Sequence, residues 1–170
     1  MKIVRAALAM SNLRDGGILV VGVAESGTTW KPTGISAAHL KTYDPDEIAD
    51  VINKYASPAI EVTIALVRID GKDFLVFEFE EFAEYPVICQ RANDDEGLRR
   101  GAMYHRPRGR PRSEAVASEA DMREILDLAG IKIARRFVEQ GLESGLQFPK
   151  PAMPYPADDA SFDDEIEDLA

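Results

Sequence analysis

Six arginines fall within the fourteen residues from Arg99 to Arg112 (RRGAMYHRPRGRPR), and no acidic residue interrupts them. They belong to a chain of 170 residues whose formal net charge is −10. The guanidinium group is a planar fork of N–H donors that matches phosphate oxygens. Glycine and proline between the arginines favour an extended segment over a helix. We therefore predict that this arginine arm binds DNA or RNA, the alternative being a solvated arm that neutralises nearby carboxylates.

Two aromatic side chains lie inside the arginine arm. The Tyr104 ring has the right chemistry to stack on a base, and a ring nitrogen of His105 to meet a phosphate. Packing of Tyr104 in the protein core is an equal alternative. The residues predicted to contact nucleic acid are Arg99, Arg100, Tyr104, His105, Arg106, Arg108, Arg110 and Arg112.

Patterns that would indicate a nucleotide, metal or nucleophile site are weak. The segment 22–29 (GVAESGTT) has the glycine spacing of a phosphate loop, but Thr28 stands where that loop needs its lysine. His39 has no obvious catalytic Cys or Ser partner in the sequence, and the apolar neighbours of Cys89 are typical of a buried thiol. We therefore predict no metal site and no cofactor.

The elements before the arginine arm begin with a helix over residues 1–10, which Asn12 and the glycine pair at 16–17 bring to an end. The apolar run Ile18 to Ala24 predicts a central strand that is buried on both faces. Trp30 is interpreted as a packing residue or loop anchor.

A second helix is predicted from the cap Asp44 to the residues before Pro58. Alternating apolar residues on both sides of Asp70-Gly71 predict a β-hairpin. Two short strands follow at 86–89 and 102–106, and the arginine arm leaves from the second.

The C-terminal part of the chain divides into a helix and a tail. Ser118 and Asp121 form a capping box that starts the helix, which is expected to end at Gly141. Four prolines within eight residues and seven acidic residues then follow. We therefore predict a domain over residues 1–146 and a Pro-rich, acidic and flexible tail over 147–170.

Composition limits the function classes. The seven acidic residues after Pro156 account for seven of the ten net negative charges, so the overall acidity does not exclude nucleic-acid binding. A single cysteine allows no internal disulfide, and no long uncharged apolar stretch predicts a membrane span. We expect a cytoplasmic protein with no membrane partner.

The order of several short motifs resembles that of the Schlafen AlbA_2 domain family over residues 1–129. These motifs are Asn12-Leu13-Arg14-Asp15-Gly16-Gly17 followed by ILVVGV, Tyr85-Pro86-Val87, and Met103-Tyr104-His105-Arg106. The resemblance implies an α+β fold with a mixed β-sheet that contains a β-hairpin and is covered by helices, and a surface that binds DNA or RNA. The positions that match the family pattern are Asn12, Gly16, Gly17, Gly22, Pro86, Tyr104 and Arg106.

The resemblance also implies a catalytic alternative, because some domains of this family are metal-dependent endoribonucleases that use three carboxylates. Two of these carboxylates lie on a strand before the opening helix, and this chain begins at the helix. Glu25 falls near the third, and Glu143 lies in a segment, 141–150, that faintly matches the missing motif. Mg²⁺ or Mn²⁺ would be needed only for this alternative.

Three functions therefore stay open. The leading one is a non-catalytic domain that binds DNA or RNA, with the acidic tail as an intramolecular competitor for the arginine arm. The others are a metal-dependent nuclease and a protein-interaction module in which the acidic tail docks on a basic partner. The sheet edge left by the missing strand also invites a homodimer.

Overall fold

The computed structural model describes residues 2–27, 29–107 and 112–146. Nine strands and four α-helices are found among them. The strands are β1 (Gly17–Val21), β2 (Val23–Ser26), β3 (Thr29–Pro32), β4 (Ala56–Ser57), β5 (Val62–Ile69), β6 (Lys72–Phe79), β7 (Ile88–Cys89), β8 (Tyr104–His105) and β9 (Glu114–Ala115). The helices are α1 (Lys2–Met10), α2 (Ala37–Leu40), α3 (Pro45–Asn53) and α4 (Glu119–Glu143), with one short 3-10 turn at Asp94–Glu96.

The largest sheet has three antiparallel strands in the order β1-β6-β5. Its β5–β6 hairpin turns at Asp70 and Gly71, whose φ angles are 50° and 74°. Positive φ at both central residues is what a two-residue hairpin turn requires, and Asp-Gly accepts it readily. The hairpin expected from the sequence is confirmed, and with it the α+β fold class.

Three further pairs of strands are also antiparallel: β2 with β3, β4 with β7, and β8 with β9. The strands β8 and β9 flank residues 106–113, which contain part of the predicted arginine arm. Of the predicted contact residues in that segment, Arg106 and Arg112 are described, whereas Arg108 and Arg110 lie outside the described residues.

Side-chain caps fix where the longer helices begin. The Asp44 carboxylate accepts hydrogen bonds from the backbone N–H groups of Asp46 and Glu47, at 2.9 and 3.3 Å. Ser118 Oγ accepts one from the Asp121 N–H at 3.1 Å, at the start of α4. Both caps match the sequence prediction. Each satisfies N–H groups that have no partner within the helix.

The core forms where α1 packs on the sheet. Val4, Leu8 and their small neighbours are buried together with Phe77 and Phe79, whose rings lie 6.2 Å apart. The small residues of α1 allow the helix to come close to its neighbours, and it contacts β1, β8 and α3. Because α1 is almost wholly buried, the basic residues of its first turns are held on a fixed frame.

One prediction about the sheet is wrong. The run Ile18 to Ala24 is not a single central strand buried on both faces: β1 ends at Val21, lies at a sheet edge, and leaves Ile18 61% exposed. Gly22 interrupts the run with φ 111°, and a Cβ there would lie 2.9 Å from Phe74 Cδ1. The chain therefore leaves the sheet at Gly22 and enters the β2–β3 hairpin.

The described residues separate into two compact units, which divide between Arg135 and Arg136. Within the second unit, the end of α4 is followed by Gly145 with φ 84°, and Ser144 Oγ donates a hydrogen bond to the Gln140 carbonyl at 2.8 Å. The domain boundary at residue 146 stays a prediction. Among the described helices, none combines the length and apolar character that crossing a bilayer requires.

Candidate nucleic-acid interface

A cleft of about 630 Å³ opens beside the first turns of α1. Its basic side chains come from separate parts of the sequence: Lys2 and Arg5 from α1, Arg106 from the residue after β8, and Arg112 from the segment before β9. Trp30 of β3 also lines it. The other lining residues are Ala6, Leu19, Asp95, Glu96, Gly97 and Ser113. We name this site the basic cleft.

Four cationic side chains thus share the basic cleft with two carboxylates, those of Asp95 and Glu96. Arg5 packs against the turn that carries these acids, since a Cβ built on Gly97 would lie 2.7 Å from Arg5 Nη2. The cleft keeps an excess of positive charge inside a chain of net charge −10. Charges of one sign along a concave surface concentrate ions of the opposite sign.

Asn12 ties the end of α1 to the backbone of Val87 and of β8. Its side chain is buried, and Nδ2 lies 2.9 Å from the carbonyl oxygens of both Val87 and Tyr104. Oδ1 accepts a hydrogen bond from the Val87 N–H at 2.7 Å. The residue at the end of α1 therefore fixes the strand that leads into Arg106, and it also holds the backbone directly after Pro86.

The structure buries both aromatic residues of the arginine arm. Tyr104 is 2% exposed, and its hydroxyl donates to the Gly97 carbonyl at 3.0 Å and accepts from the Arg99 N–H at 2.9 Å. A ring in this position cannot stack on a base, so the packing alternative describes Tyr104. The ring instead holds the acidic turn against the start of the arginine arm.

His105 is buried as well, and this differs from the expected contact with phosphate. Its Nε2 lies 3.3 Å from Asp121 Oδ2, close enough for an ion pair with a protonated ring but without the geometry of a hydrogen bond. The burial follows from β8, which is covered by α1 on one side and paired with β9 on its edge. Both rings therefore pack in the interior of the protein, directly before Arg106 in the sequence.

The predicted arginines separate into those that line the basic cleft and those that do not. Arg106 and Arg112 line it, whereas Arg99 and Arg100 are exposed outside it. Sequence reasoning missed Lys2, Arg5 and Trp30. The available signals were the i, i+3 spacing of Lys2 and Arg5, which places them on one helix face, and a lone Trp in a polar segment.

The two weak catalytic candidates lie in different units. Glu25 is exposed on β2, directly opposite Trp30 in the β2–β3 register. Glu143 is exposed at the end of α4, in the second unit. Within the described ranges, no three His, Cys, Asp or Glu side chains come together in a way that could hold a metal ion.

Two of the family-type residues shape the turn that enters β1. Gly16 has φ 67°, and a Cβ there would lie 2.1 Å from the Phe79 carbonyl oxygen, so no side chain fits. Gly17 then pairs with Phe79 as the first residue of β1. The close contact of these glycines with Phe79 lets the chain enter β1 within a few residues of the end of α1.

Cys89 is fully buried in β7, and its Sγ donates to the Arg91 carbonyl at 3.0 Å. Burial raises the pKa of the thiol by penalising the charged thiolate, while the Arg91 backbone acts in the opposite direction. A protonated and enclosed thiol is a packing group, as the apolar neighbours in the sequence indicate.

Comparison with known proteins places this fold in a family. Residues 1–112 match the family described as Schlafen, AlbA_2, which covers most of the domain and all the elements from α1 to β8. The chain belongs to the Schlafen AlbA_2 family. The matched region includes Lys2, Arg5, Trp30, Arg106 and Arg112 of the basic cleft.

A search of curated proteins finds no match. Among solved structures, the chain is similar to the crystal structure of the DIP2311 protein from Corynebacterium diphtheriae, with 19% identity and a TM-score of 0.48. The similarity covers 72% of this chain and 18% of that one. The chain therefore spans less than a fifth of that protein's length, and a likeness of this degree carries no functional inference.

Proposed function

We propose that this protein binds nucleic acid through the basic cleft, with phosphates contacting Lys2, Arg5, Arg106 and Arg112. The observation that carries the proposal is that these four side chains converge on one concave surface. The first and the last of them, Lys2 and Arg112, are more than 100 residues apart in the sequence. Arginine and lysine supply both the charge and the N–H donors that phosphate oxygens accept. Membership of the Schlafen AlbA_2 family supports the same class of ligand.

The contacts proposed here go to the backbone of the nucleic acid and not to base edges. Phosphate contacts position a protein but carry little sequence information. Binding is therefore weakly sequence-specific and falls as salt is added, because each neutralised phosphate releases counterions.

The test is a salt titration of binding with a double variant, Arg106→Ala and Arg112→Ala. The variant should weaken binding, and the slope of log K against log salt should become shallower by about 0.9 for each lost contact with duplex DNA, or about 0.7 with a single strand. The matched control is Arg68→Ala with Arg123→Ala. It removes the same charge from exposed arginines that pair with Asp73 and Glu119 and do not line the cleft.

If the two double variants bind equally well and with the same slope as the unchanged protein, the cleft is not the binding site. Arg99, Arg100, Arg108 and Arg110 of the arginine arm are then the next group to replace. Parallel titrations with duplex DNA, single-stranded DNA and structured RNA decide between DNA and RNA.

The acidic tail enters the proposal as a competitor on grounds of charge alone. Seven carboxylates tethered to the same chain reach a high local concentration around any cationic surface. A homodimer, a protein partner for the tail and a cytoplasmic location remain predictions from the sequence.

A further inference from the structure

Trp30 is the one tryptophan of the chain, and its side chain lies 60% exposed where it lines the basic cleft. Exposure of a large aromatic ring forgoes the stabilisation that burial would give it. The ring belongs to the β2–β3 hairpin, whose described residues are exposed on both strands. Packing within the described part of the chain therefore does not account for the position of this ring.

A flat aromatic surface next to phosphate-binding cations has a specific use. Proteins that hold single-stranded nucleic acids combine a cationic groove for the backbone with aromatic rings on which bases stack. In a duplex each base is covered on both faces by its neighbours, so only an unpaired base offers a face to the ring. The pairing of Trp30 with Arg106 and Arg112 in one cleft thus favours a single strand.

The two carboxylates that line the basic cleft limit where the nucleic-acid strand can lie. Asp95 and Glu96 belong to the short 3-10 turn, and negative charge there repels phosphates. Because Arg5 packs against the turn that carries these carboxylates, the phosphates are assigned to Arg106 and Arg112. An uncharged base ring is free of this repulsion and can occupy the rest of the cleft.

We infer that the basic cleft holds a single strand of DNA or RNA, with one unpaired base stacked on Trp30 and its neighbouring phosphates on Arg106 and Arg112. This inference rests on the proposed function and adds to it the class of ligand. The shared chemistry is an unpaired base on a phosphate backbone, which both nucleic acids supply.

The lone tryptophan makes the inference directly measurable, because fluorescence excited selectively in tryptophan reports on this one ring. The probes are oligothymidylate, oligouridylate, a duplex, and an abasic deoxyribose-phosphate strand, all with the same number of phosphates per strand. Oligothymidylate or oligouridylate should quench the fluorescence, and the abasic strand should bind about fivefold to a hundredfold more weakly with no quenching. The duplex should bind without quenching.

Two variants separate stacking from charge. Trp30→Leu should bind oligothymidylate no better than the abasic strand, while Trp30→Phe should recover part of the difference because a phenyl ring also stacks. Both substitutions fall on an exposed strand, so circular dichroism should show an unchanged fold. Oligothymidylate against oligouridylate distinguishes DNA from RNA as the source of the base.

Binding of all four probes with similar affinity and no quenching would overturn the inference and leave the proposed function standing. The inference would also be overturned if oligothymidylate quenched the fluorescence of the unchanged protein but bound Trp30→Leu with the same affinity. Absence of binding to every probe at low salt would overturn both.

Discussion

Glu25 and Trp30 stand directly opposite each other across the antiparallel β2–β3 pair. Side chains at opposed positions project from the same face, with their Cβ atoms about 4.5–5.5 Å apart. The residue that the family resemblance offers as a catalytic carboxylate is therefore a neighbour of the ring that we infer to stack on a base. Under the nuclease alternative Glu25 is a candidate catalytic carboxylate. Under the proposed nucleic-acid binding it is a negative charge beside the ring on which a base stacks.

Replacing Glu25 with Gln should strengthen binding of oligothymidylate at low salt by about twofold to fivefold. The carboxylate beside Trp30 repels the phosphates of a strand that stacks there, and the amide does not. The gain should disappear as salt is added. Glu61→Gln, on the loop before β5 and outside the cleft, is the control for the change of net charge and should leave affinity unchanged.

Adding Mg²⁺ or Mn²⁺ to the protein with tRNA, single-stranded DNA or duplex DNA should produce no cleavage. Hydrolysis by bound metal ions needs several converging ligands, and the acidic side chains of the described residues do not supply such a group. Denaturing gels of end-labelled substrates provide the measurement. Metal-dependent cleavage that is lost in Glu25→Ala or Glu143→Ala would instead support the nuclease alternative.

Asn12→Ala should lower the free energy of unfolding by on the order of 3 kcal/mol. The substitution leaves the buried Val87 N–H and the carbonyls of Val87 and Tyr104 without their side-chain partner, and each such group costs about 1–3 kcal/mol. Urea denaturation followed by circular dichroism gives the value. Asn93→Ala is the control, since its amide makes one longer contact of 3.3 Å with Tyr55 Oη, and it should cost about 1 kcal/mol or less.

Local chemistry explains which elements the sequence predicts well. The turn at Asp70-Gly71 and the cap at Asp44 depend on residues within a few positions of each other, so the pattern alone specifies them. The order of short motifs was also sufficient to predict the family. The edge position of β1 was not predicted, because a continuous apolar run does not show whether a strand has one neighbouring strand or two.

The basic cleft could not be predicted in the same way, because its members meet only after the chain folds. Lys2 and Arg106 are brought together by the packing of α1 on β8, which rests on Asn12. Trp30 enters from a separate hairpin. In the arginine arm, the charge run predicts a phosphate-binding surface, which stays a proposal. The burial of Tyr104 and His105 beside half-buried Arg106 depends on strand pairing, which the charge run does not show.

Cys89 should react with thiol reagents only as fast as the protein unfolds, because the side chain is enclosed and the raised pKa keeps it protonated. The raised pKa means that the folded state holds this proton more tightly than the unfolded state. The bound thiol proton therefore contributes fully to the free energy of unfolding below the ordinary thiol pKa of about 8.5. This contribution is lost as the pH rises through the raised pKa of Cys89 in the folded state. Urea titrations of the unchanged protein and Cys89→Ala between pH 7 and 10 should therefore converge as pH increases, and parallel curves would contradict this linkage.

Deleting residues 156–170 should tighten nucleic-acid binding several-fold at low salt, and the gain should shrink as salt increases. The segment carries seven acidic residues and no basic one, so on a tether it competes with phosphates for the arginines. A full-length variant with each of these Asp and Glu residues changed to Asn and Gln keeps the length of the tail and removes its charge. It should bind as tightly as the truncated protein if charge is the cause. Unchanged affinity in both variants, together with loss of a protein partner from the truncated form, would replace autoinhibition with the interaction-module function.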